Sequence, residues 1–196
     1  MSFELISDFN LSDLDNSKYI KLKKAKFKQQ NIIREWDLIE VHNSVATLLF
    51  DDINDEFILV KQFRPPVYLQ NRDGFTYELC AGIVDKPKPL IEIAKEEILE
   101  ETGYDVNINN IQKITSFYTS VGFAGSKQEL FFAVVNDFLK VNEGGGNLDE
   151  YELIEVVKLK KERAKEFMFD ENIAKTPGLM FAFMWFFENE KELIKK

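Results

Sequence analysis

The sequence contains a single cysteine, Cys80, and a single histidine, His42. One cysteine cannot form an internal disulfide, and this favours a reducing compartment. His42 has neither a second histidine nor a neighbouring cysteine with which to bind zinc. The sequence therefore predicts no disulfide and no zinc site, and it gives no support to a histidine-based catalytic triad.

Long apolar runs are also missing from the sequence. The longest one, residues 179–187, is too short to cross a bilayer. No positively charged N-terminal segment precedes an apolar core, as a secretory signal would require. We therefore expect a soluble, cytoplasmic protein without a membrane partner.

Positive charge is scarce as well, since 25 lysines and arginines stand against 34 acidic residues and leave a formal charge of −9. This deficit argues against nonspecific binding to nucleic acid or to anionic membranes. An acidic protein can still act on an anionic substrate if metal ions and a few local arginines reverse the field. Phosphate substrates handled through Mg²⁺ fit that pattern.

An acidic helix, predicted over residues 90–102, is the most informative stretch that the sequence does contain. Pro89 suits the first turn of a helix, and Gly103 suits its C-terminal end. With successive residues about 100° apart, four residues form an apolar stripe: Leu90, Ile93, Ala94 and Ile98. Glu97 and Glu101 fall within that same stripe.

Glu97 and Glu101 are costly in this position, because like charges repel and ions resist desolvation. The helix macrodipole also disfavours anions near the C-terminal end. A divalent cation resolves both problems, since Mg²⁺ prefers carboxylate oxygens. Glu100 sits at the edge of the stripe. The alternative, a solvated acidic helix, explains the outward-facing Glu92 and Glu96 but not Glu97 and Glu101.

The rest of the chain predicts a mixed α+β domain. Strands are expected at residues 19–29, 32–41, 44–50, 56–63, 77–81, 111–119, 128–135 and 152–159. Further helices are expected at residues 161–169 and 179–194, and a loop at residues 67–75 after two consecutive prolines. The glycines at 144–146 predict a mobile loop.

The stretch from Gly82 to Tyr104, GIVDKPKPLIEIAKEEILEETGY, resembles the box of the Nudix hydrolases. That pattern is Gly, five residues, Glu, seven residues, then Arg-Glu-apolar-x-Glu-Glu-x-Gly-apolar, and the spacing here matches without insertion. Lys88 stands where the pattern has its first glutamate, and Glu96 where it has its arginine. In the family this arginine braces the catalytic carboxylates, so we hypothesise that Glu96→Arg restores the brace and raises activity.

Segments outside the box resemble the ADP-ribose and nucleotide-sugar pyrophosphatase branch, and within it the UDP-sugar pyrophosphatases most closely. The segments KQFRP (61–65), YELCAG (77–82) and REWD (34–37) carry this likeness. ADP-ribose enzymes usually have a proline and a glutamate in the loop after the box, where this chain has Val121 and Ser126. This departure favours UDP-sugars over ADP-ribose.

The resemblance implies Mg²⁺-dependent hydrolysis of a nucleoside diphosphate sugar, UDP-glucose-like, to a nucleoside monophosphate and a sugar 1-phosphate. One alternative is an ADP-ribose pyrophosphatase, which yields AMP and ribose 5-phosphate. A second is a degenerate Nudix module that binds nucleotides without cleaving them. Lys88 and Glu96 motivate the second alternative, whereas the retained Glu97 and Glu101 argue against it.

The resemblance also implies a metal site and a catalytic base. The metal, Mg²⁺ with Mn²⁺ as the alternative, would be held by the Ala81 carbonyl and by Glu97, Glu100 and Glu101, with Glu97 and Glu101 as the main catalytic carboxylates. The general base is expected from a mobile loop, where Glu150 matches best. Glu152 and Glu143 are the next choices, and all three could instead be surface acids.

Three residues are expected to bind the substrate. Arg64 is expected to grip the diphosphate, because a guanidinium binds phosphate in a bidentate fork. A surface ion pair is the alternative for this arginine. Arg34 and Trp36 are expected near the nucleobase across a dimer interface, with packing in the core as the alternative for Trp36.

We expect a Nudix α/β/α sandwich with a mixed β-sheet and an N-terminal antiparallel strand extension. Residues 1–43 would form the extension and serve as the dimerisation element, and residues 44–196 would form the hydrolase domain. A homodimer is expected from the family likeness and from the exposed strand at residues 19–29, which would otherwise leave an open edge.

Overall fold

The computed structural model describes residues 6–147 and 152–194. Within these residues the chain forms a seven-stranded mixed sheet and a separate two-stranded sheet. The strands are β1 (Lys21–Gln29), β2 (Ile32–Glu40), β3 (Ser44–Asp51), β4 (Glu56–Phe63), β5 (Phe75–Glu78), β6 (Cys80–Ile83), β7 (Ile111–Thr119), β8 (Ser126–Val135) and β9 (Ile154–Lys160). The α-helices are α1 (Pro65–Asn71), α2 (Leu90–Glu97), α3 (Ala164–Phe169) and α4 (Pro177–Leu193).

The large sheet is organised around β3, which pairs in parallel with β8 along one edge. The other edge of β3 pairs first with β6 and then with β4, so β3 and β4 stay together at one end only. Beyond that end, β4 pairs with β5 on the same edge and with β9 on its other edge. On the far side of the sheet, β7 pairs with β8. The short strands β5 and β6 therefore fill the fork where β3 and β4 diverge.

Helices cover both faces of this sheet. On one face α3 and α4 pack aromatic side chains against it, and the ring of Phe57 lies 4.4 Å from that of Phe183 and 4.9 Å from that of Phe186. On the other face α2 buries Ile93 and Ala94. The predicted α+β class and α/β/α sandwich are confirmed.

The N-terminal extension is a β-hairpin, β1–β2, that forms a sheet of its own. Gln30 and Asn31 make its two-residue turn with φ of 49° and 65°, as the tight hairpin turns require. The hairpin joins the body through the Trp36 indole, which donates to the Gly122 carbonyl at 2.8 Å, and through the Ile39 amide, which donates to the Phe123 carbonyl at 2.8 Å. The division of the chain at residues 43 and 44 stays a prediction.

Some element limits differ from those predicted. The expected loop at 67–75 is wrong in its first part, because α1 begins at Pro65, where a missing N–H costs a helix nothing. The expected strand at 77–81 is interrupted at Leu79 between β5 and β6. None of the helices in residues 6–147 and 152–194 is long and apolar enough to cross a bilayer.

Candidate active site

A cavity of about 960 Å³ opens where β5 and β6 meet the end of the acidic helix. Its wall contains five of the predicted site residues: Ala81, Glu97, Glu100, Glu101 and Arg64. They come from three separate parts of the chain, namely β6, the acidic helix and the turn after β4. The fold therefore brings the predicted metal ligands and the predicted phosphate ligand to one place.

The acidic helix changes its geometry within the predicted site. α2 is α-helical as far as Glu97, and Ile98–Thr102 then forms a π-helical turn. Such turns are rare and are often found at functional sites. Gly103 ends the helix in the left-handed conformation with φ of 77°, as its position in the sequence predicts.

Glu101 is the most buried carboxylate of the site, with 2% of its surface exposed. One of its oxygens accepts a hydrogen bond from the Ala81 amide at 2.8 Å. Burial raises the pKa of Glu101 to about 8, whereas hydrogen bonds from the Cys80 thiol and the Ala81 amide lower it. The nearby Glu97 adds to the rise in the Glu101 pKa. A cation in contact would favour the ionised form.

The glycine that begins the box makes room for Glu97. A Cβ atom on Gly82 would collide with the carboxyl group of Glu97. Gly82 lies in β6, opposite Val45 of β3, so the strand itself is held in place. Glycine is needed here because a helix side chain approaches the strand backbone closely.

The donor atoms of the acidic side chains at this cavity are of the type that a hard divalent cation prefers. Glu97, Glu100 and Glu101 offer only oxygen donors, which Mg²⁺ prefers, and burial raises the pKa of Glu101, which a bound cation would lower again. Among the described residues, no three His, Cys, Asp or Glu side chains form a ready-made metal site. Mg²⁺ usually keeps several waters and takes one or two carboxylates, so it does not need such a set.

Arg64 forms a bidentate pair with Glu78 at the cavity wall. Its Nε donates to one carboxylate oxygen at 2.8 Å and its Nη2 to the other at 2.9 Å. The Thr76 hydroxyl donates to the first of these oxygens at 2.5 Å, and the hydrogen bond with Glu78 raises the pKa of Arg64. Arg64 therefore forms an ion pair, which was the alternative to phosphate binding, and this pair lies in the wall of the cavity.

Glu78 and Thr76 are site residues that the sequence did not single out. Glu78 is buried in a short strand beside the buried Leu79 and Cys80. A carboxylate among apolar residues needs a charged partner, and the apolar neighbours of Glu78 in the sequence could have indicated such a pair. The partner, Arg64, lies 14 residues away in sequence.

The first part of the glycine-rich loop is fastened to the acidic helix. The amides of Gly145 and Gly146 donate to the carbonyls of Glu101 and Glu100, at 2.9 and 3.3 Å. A Cβ atom on Gly144 would collide with the Glu101 carbonyl. The loop therefore supplies partners for carbonyl groups at the end of the helix, which would otherwise lack them.

The predicted general base, Glu150, lies outside the described residues. Of the two other choices, Glu152 lines the cavity, and its charge acts on both Arg64 and Glu101. Glu143 is exposed and pairs with Lys140 at 3.1 Å. The structure thus brings Glu152, but not Glu143, to the site.

The two predicted nucleobase ligands, Arg34 and Trp36, lie on β2, and neither lines the cavity of its own chain. Arg34 donates from Nη1 to Gln29 at 2.7 Å, and the Trp36 indole donates to Gly122. Trp36 is 48% exposed, so the alternative that it packs in the core is wrong.

Lys88 and Glu96, the two departures from the box pattern, are in contact. The Lys88 ammonium donates to one Glu96 oxygen at 2.5 Å, and the Lys86 ammonium lies 4.0 Å from the other. The hydrogen bond raises the pKa of Lys88 and lowers the pKa of Glu96. Glu96 therefore carries a compensated charge.

Known proteins are similar to this chain over most of its length. The chain is 35% identical to a uridine diphosphate glucose pyrophosphatase of Bos taurus, over 87% of this chain and 89% of that protein. It is 33% identical to a uridine diphosphate glucose pyrophosphatase of Mus musculus, over 88% and 90%. It is 34% identical to a GDP-mannose pyrophosphatase of Cronobacter sakazakii, over 85% of each. No protein-family model matches the sequence.

Proposed function

Because this chain belongs to the Nudix hydrolases, in their nucleotide-sugar pyrophosphatase branch, we propose that it hydrolyses UDP-glucose or a similar UDP-sugar with Mg²⁺. Water attacks the diphosphate bridge, and the products are a nucleoside monophosphate and a sugar 1-phosphate. The observation that carries the proposal is the single cavity in which the box carboxylates Glu97 and Glu101 meet Arg64.

The choice of a UDP-sugar rests on two lines of support. Relatives at 35% and 33% identity are named for UDP-glucose, although one at 34% identity is named for GDP-mannose. The loop after the box has Val121 and Ser126 in place of the proline and glutamate that are usual in ADP-ribose enzymes. GDP-mannose and ADP-ribose are therefore the two comparison substrates.

Enzymes of this family generally use divalent metals, and we assign Mg²⁺, with Mn²⁺ as its substitute. Glu97, Glu100, Glu101 and the Ala81 carbonyl would hold the ion. When bound, it supplies positive charge that neutralises the diphosphate. Glu101 is held in place for this role by the hydrogen bond from the Ala81 amide.

Two further groups act on the substrate and on water. Arg64 uses two N–H groups to hold Glu78, and its remaining N–H donors can bind a phosphate oxygen at the cavity wall. Glu150 takes the proton from the attacking water, or Glu152 takes it, because Glu152 lines the cavity. Glu150→Gln and Glu152→Gln separate these choices, since loss of the base lowers kcat far more than loss of the neighbour.

We also propose a cytoplasmic homodimer with residues 1–43 as its dimerisation element. One face of the β1–β2 hairpin exposes Phe27, Ile32 and Trp36, which the strand register places on the same side. Exposed large apolar side chains that share one face support an interface there. In such a dimer, Arg34 and Trp36 would bind the nucleobase in the partner's cavity.

The proposal is tested by assaying UDP-glucose, GDP-mannose and ADP-ribose side by side, with Mg²⁺, with Mn²⁺ and with a chelator. We expect the fastest release of UMP and glucose 1-phosphate from UDP-glucose, only when metal is present. Faster release of GMP or AMP would keep the chemistry and reject the UDP-sugar assignment. Nucleotide binding without any metal-dependent product would instead identify a binding module.

A further inference from the structure

The segment between β6 and α2 has few backbone hydrogen bonds of its own. The Val84 amide donates to the Asn43 carbonyl at 2.8 Å, and the Lys88 amide donates to the Lys86 carbonyl at 2.9 Å. Pro87 and Pro89 have no N–H to donate, and Pro89 cannot cap α2 with its side chain. The contact from Lys88 to Glu96 therefore joins this segment to the last turn of α2.

The two contacting positions also carry exchanged charges. The box pattern has glutamate at the position of Lys88 and arginine at the position of Glu96. We propose that Lys88 and Glu96 form a charge-reversed brace, which joins residues 84–89 to α2 and neutralises Glu96 beside the active-site carboxylates. Both are positioning residues, and this role in catalysis rests on the proposed function.

Neutralisation matters because of where Glu96 lies. It lines the same cavity as Glu97, Glu100 and Glu101 and directly precedes the first of these. Without Lys88, Glu96 would add an uncompensated anion to a cavity that must accept a diphosphate. Lys86 alone is a weaker partner, because its ammonium lies 4.0 Å away and Lys88 lies at 2.5 Å.

The brace reverses the expectation for Glu96→Arg. From the pattern alone, this substitution restores a missing arginine and raises activity. In the structure, the new arginine would face Lys88 and Lys86, so like charges would repel and the segment would separate from α2. We therefore expect Glu96→Arg alone to lower activity.

A charge-swap cycle tests the brace. The variants are Lys88→Glu, Glu96→Arg and the double variant that carries both. Glu188→Arg is the matched control, because it makes the same change of charge at an exposed position of α4, and Glu188 does not line the cavity. We expect each single variant to lower kcat/KM about two- to fivefold, mainly through KM, since exposed pairs are weak.

The double variant should return kcat/KM to the parental value, and Glu188→Arg should not change it. The losses in the single variants should also diminish as salt is added, because the pair is exposed. The proposal would be overturned by a double variant whose fold-loss of kcat/KM equals the product of the two single losses. It would also be overturned by single variants with the parental kcat/KM.

Hydrogen exchange at the amides of residues 84–86 and of Lys88 gives a second readout that needs no substrate. Exchange of these amides should be faster in each single variant than in the parental protein, and the double variant should restore the parental rate. Unchanged exchange in both single variants would overturn the brace. A parental protein that cleaves no nucleotide sugar would refute the proposed function, while the exchange experiment would still decide whether the brace exists.

Discussion

Gly82 and Glu97 are packed so closely that no side chain fits on Gly82 without moving the Glu97 carboxyl. We expect Gly82→Ala to keep the fold, because the displaced group is the flexible end of a side chain. Turnover should fall by about tenfold or more, since a misplaced catalytic group is costly. Steady-state kinetics and thermal unfolding check both parts of this prediction.

Gly122→Ala is the control for that substitution. A Cβ atom on Gly122 would meet nothing within 4 Å. This variant should therefore have parental kcat and parental melting temperature. A fully active Gly82→Ala would show that the position of Glu97 does not control turnover.

Glu101→Gln should change how the stability of the metal-free protein depends on pH. The pKa of Glu101 is raised from 4.5 to about 8 in the folded protein, mainly by burial. The protonated Glu101 carboxyl therefore stabilises the folded protein fully below pH 4.5, and this stabilisation is lost as the pH rises through about 8. Chelator-treated parental protein should lose several degrees of melting temperature across that range, relative to Glu101→Gln.

The glutamine stays neutral, so Glu101→Gln should be the more stable protein at pH 8 and should have no measurable turnover. Glu92→Gln, at an exposed position of the same helix, should keep the parental dependence on pH. If the melting temperatures of the parental protein and of Glu101→Gln changed equally between pH 4.5 and 8, the result would be inconsistent with a buried Glu101 carboxyl.

Sequence reasoning worked where function depends on local spacing. The interval from Gly82 to Glu97 and Glu101 identified carboxylates that the structure places at one cavity. The position of Gly103 identified the left-handed helix end. Both features depend on residues close together in the sequence, from Gly82 to Gly103, so a pattern of residue types is enough to find them.

The contacts that sequence reasoning missed depend on tertiary geometry. Lys88 meets Glu96 across eight positions of the sequence, and Arg64 meets Glu78 across fourteen, near the paired strands β4 and β5. The π-helical turn at Ile98–Thr102 leaves no mark in the residue types of the helix. From the sequence alone, Lys88 and Glu96 are only departures from the box pattern, and Arg64 has a surface ion pair as its alternative. The fold shows that each of them makes a specific contact.

Arg64→Lys should raise KM for the nucleotide sugar about tenfold with a smaller change in kcat. Lysine keeps the charge but cannot hold both oxygens of Glu78 and still offer a planar fork to phosphate. Glu78→Gln and Thr76→Val should act in the same direction, because both loosen the guanidinium. Arg72→Lys, at the exposed end of α1, should leave KM unchanged.

A fall in kcat with unchanged KM in Arg64→Lys would contradict a role in binding the substrate. Glu78→Gln adds a further distinction between binding and folding. If the pair served stability alone, this variant would lower the melting temperature without changing KM. An increase in KM at parental melting temperature would show that Glu78 positions Arg64.

Ile32→Glu should shift the protein from dimer to monomer, whereas Ile33→Glu should not. The two isoleucines are equally exposed, at 64% and 66%, but alternate strand residues point to opposite faces. Ile32 shares its face with Phe27 and Trp36, and the substitution places a charge in the proposed interface. Sedimentation measures the effect directly, and the monomer should also have a raised KM, because the partner's Arg34 and Trp36 leave the site. Equal behaviour of the two variants would exclude this face as the interface, and a monomeric variant with parental KM would place the nucleobase within a single chain.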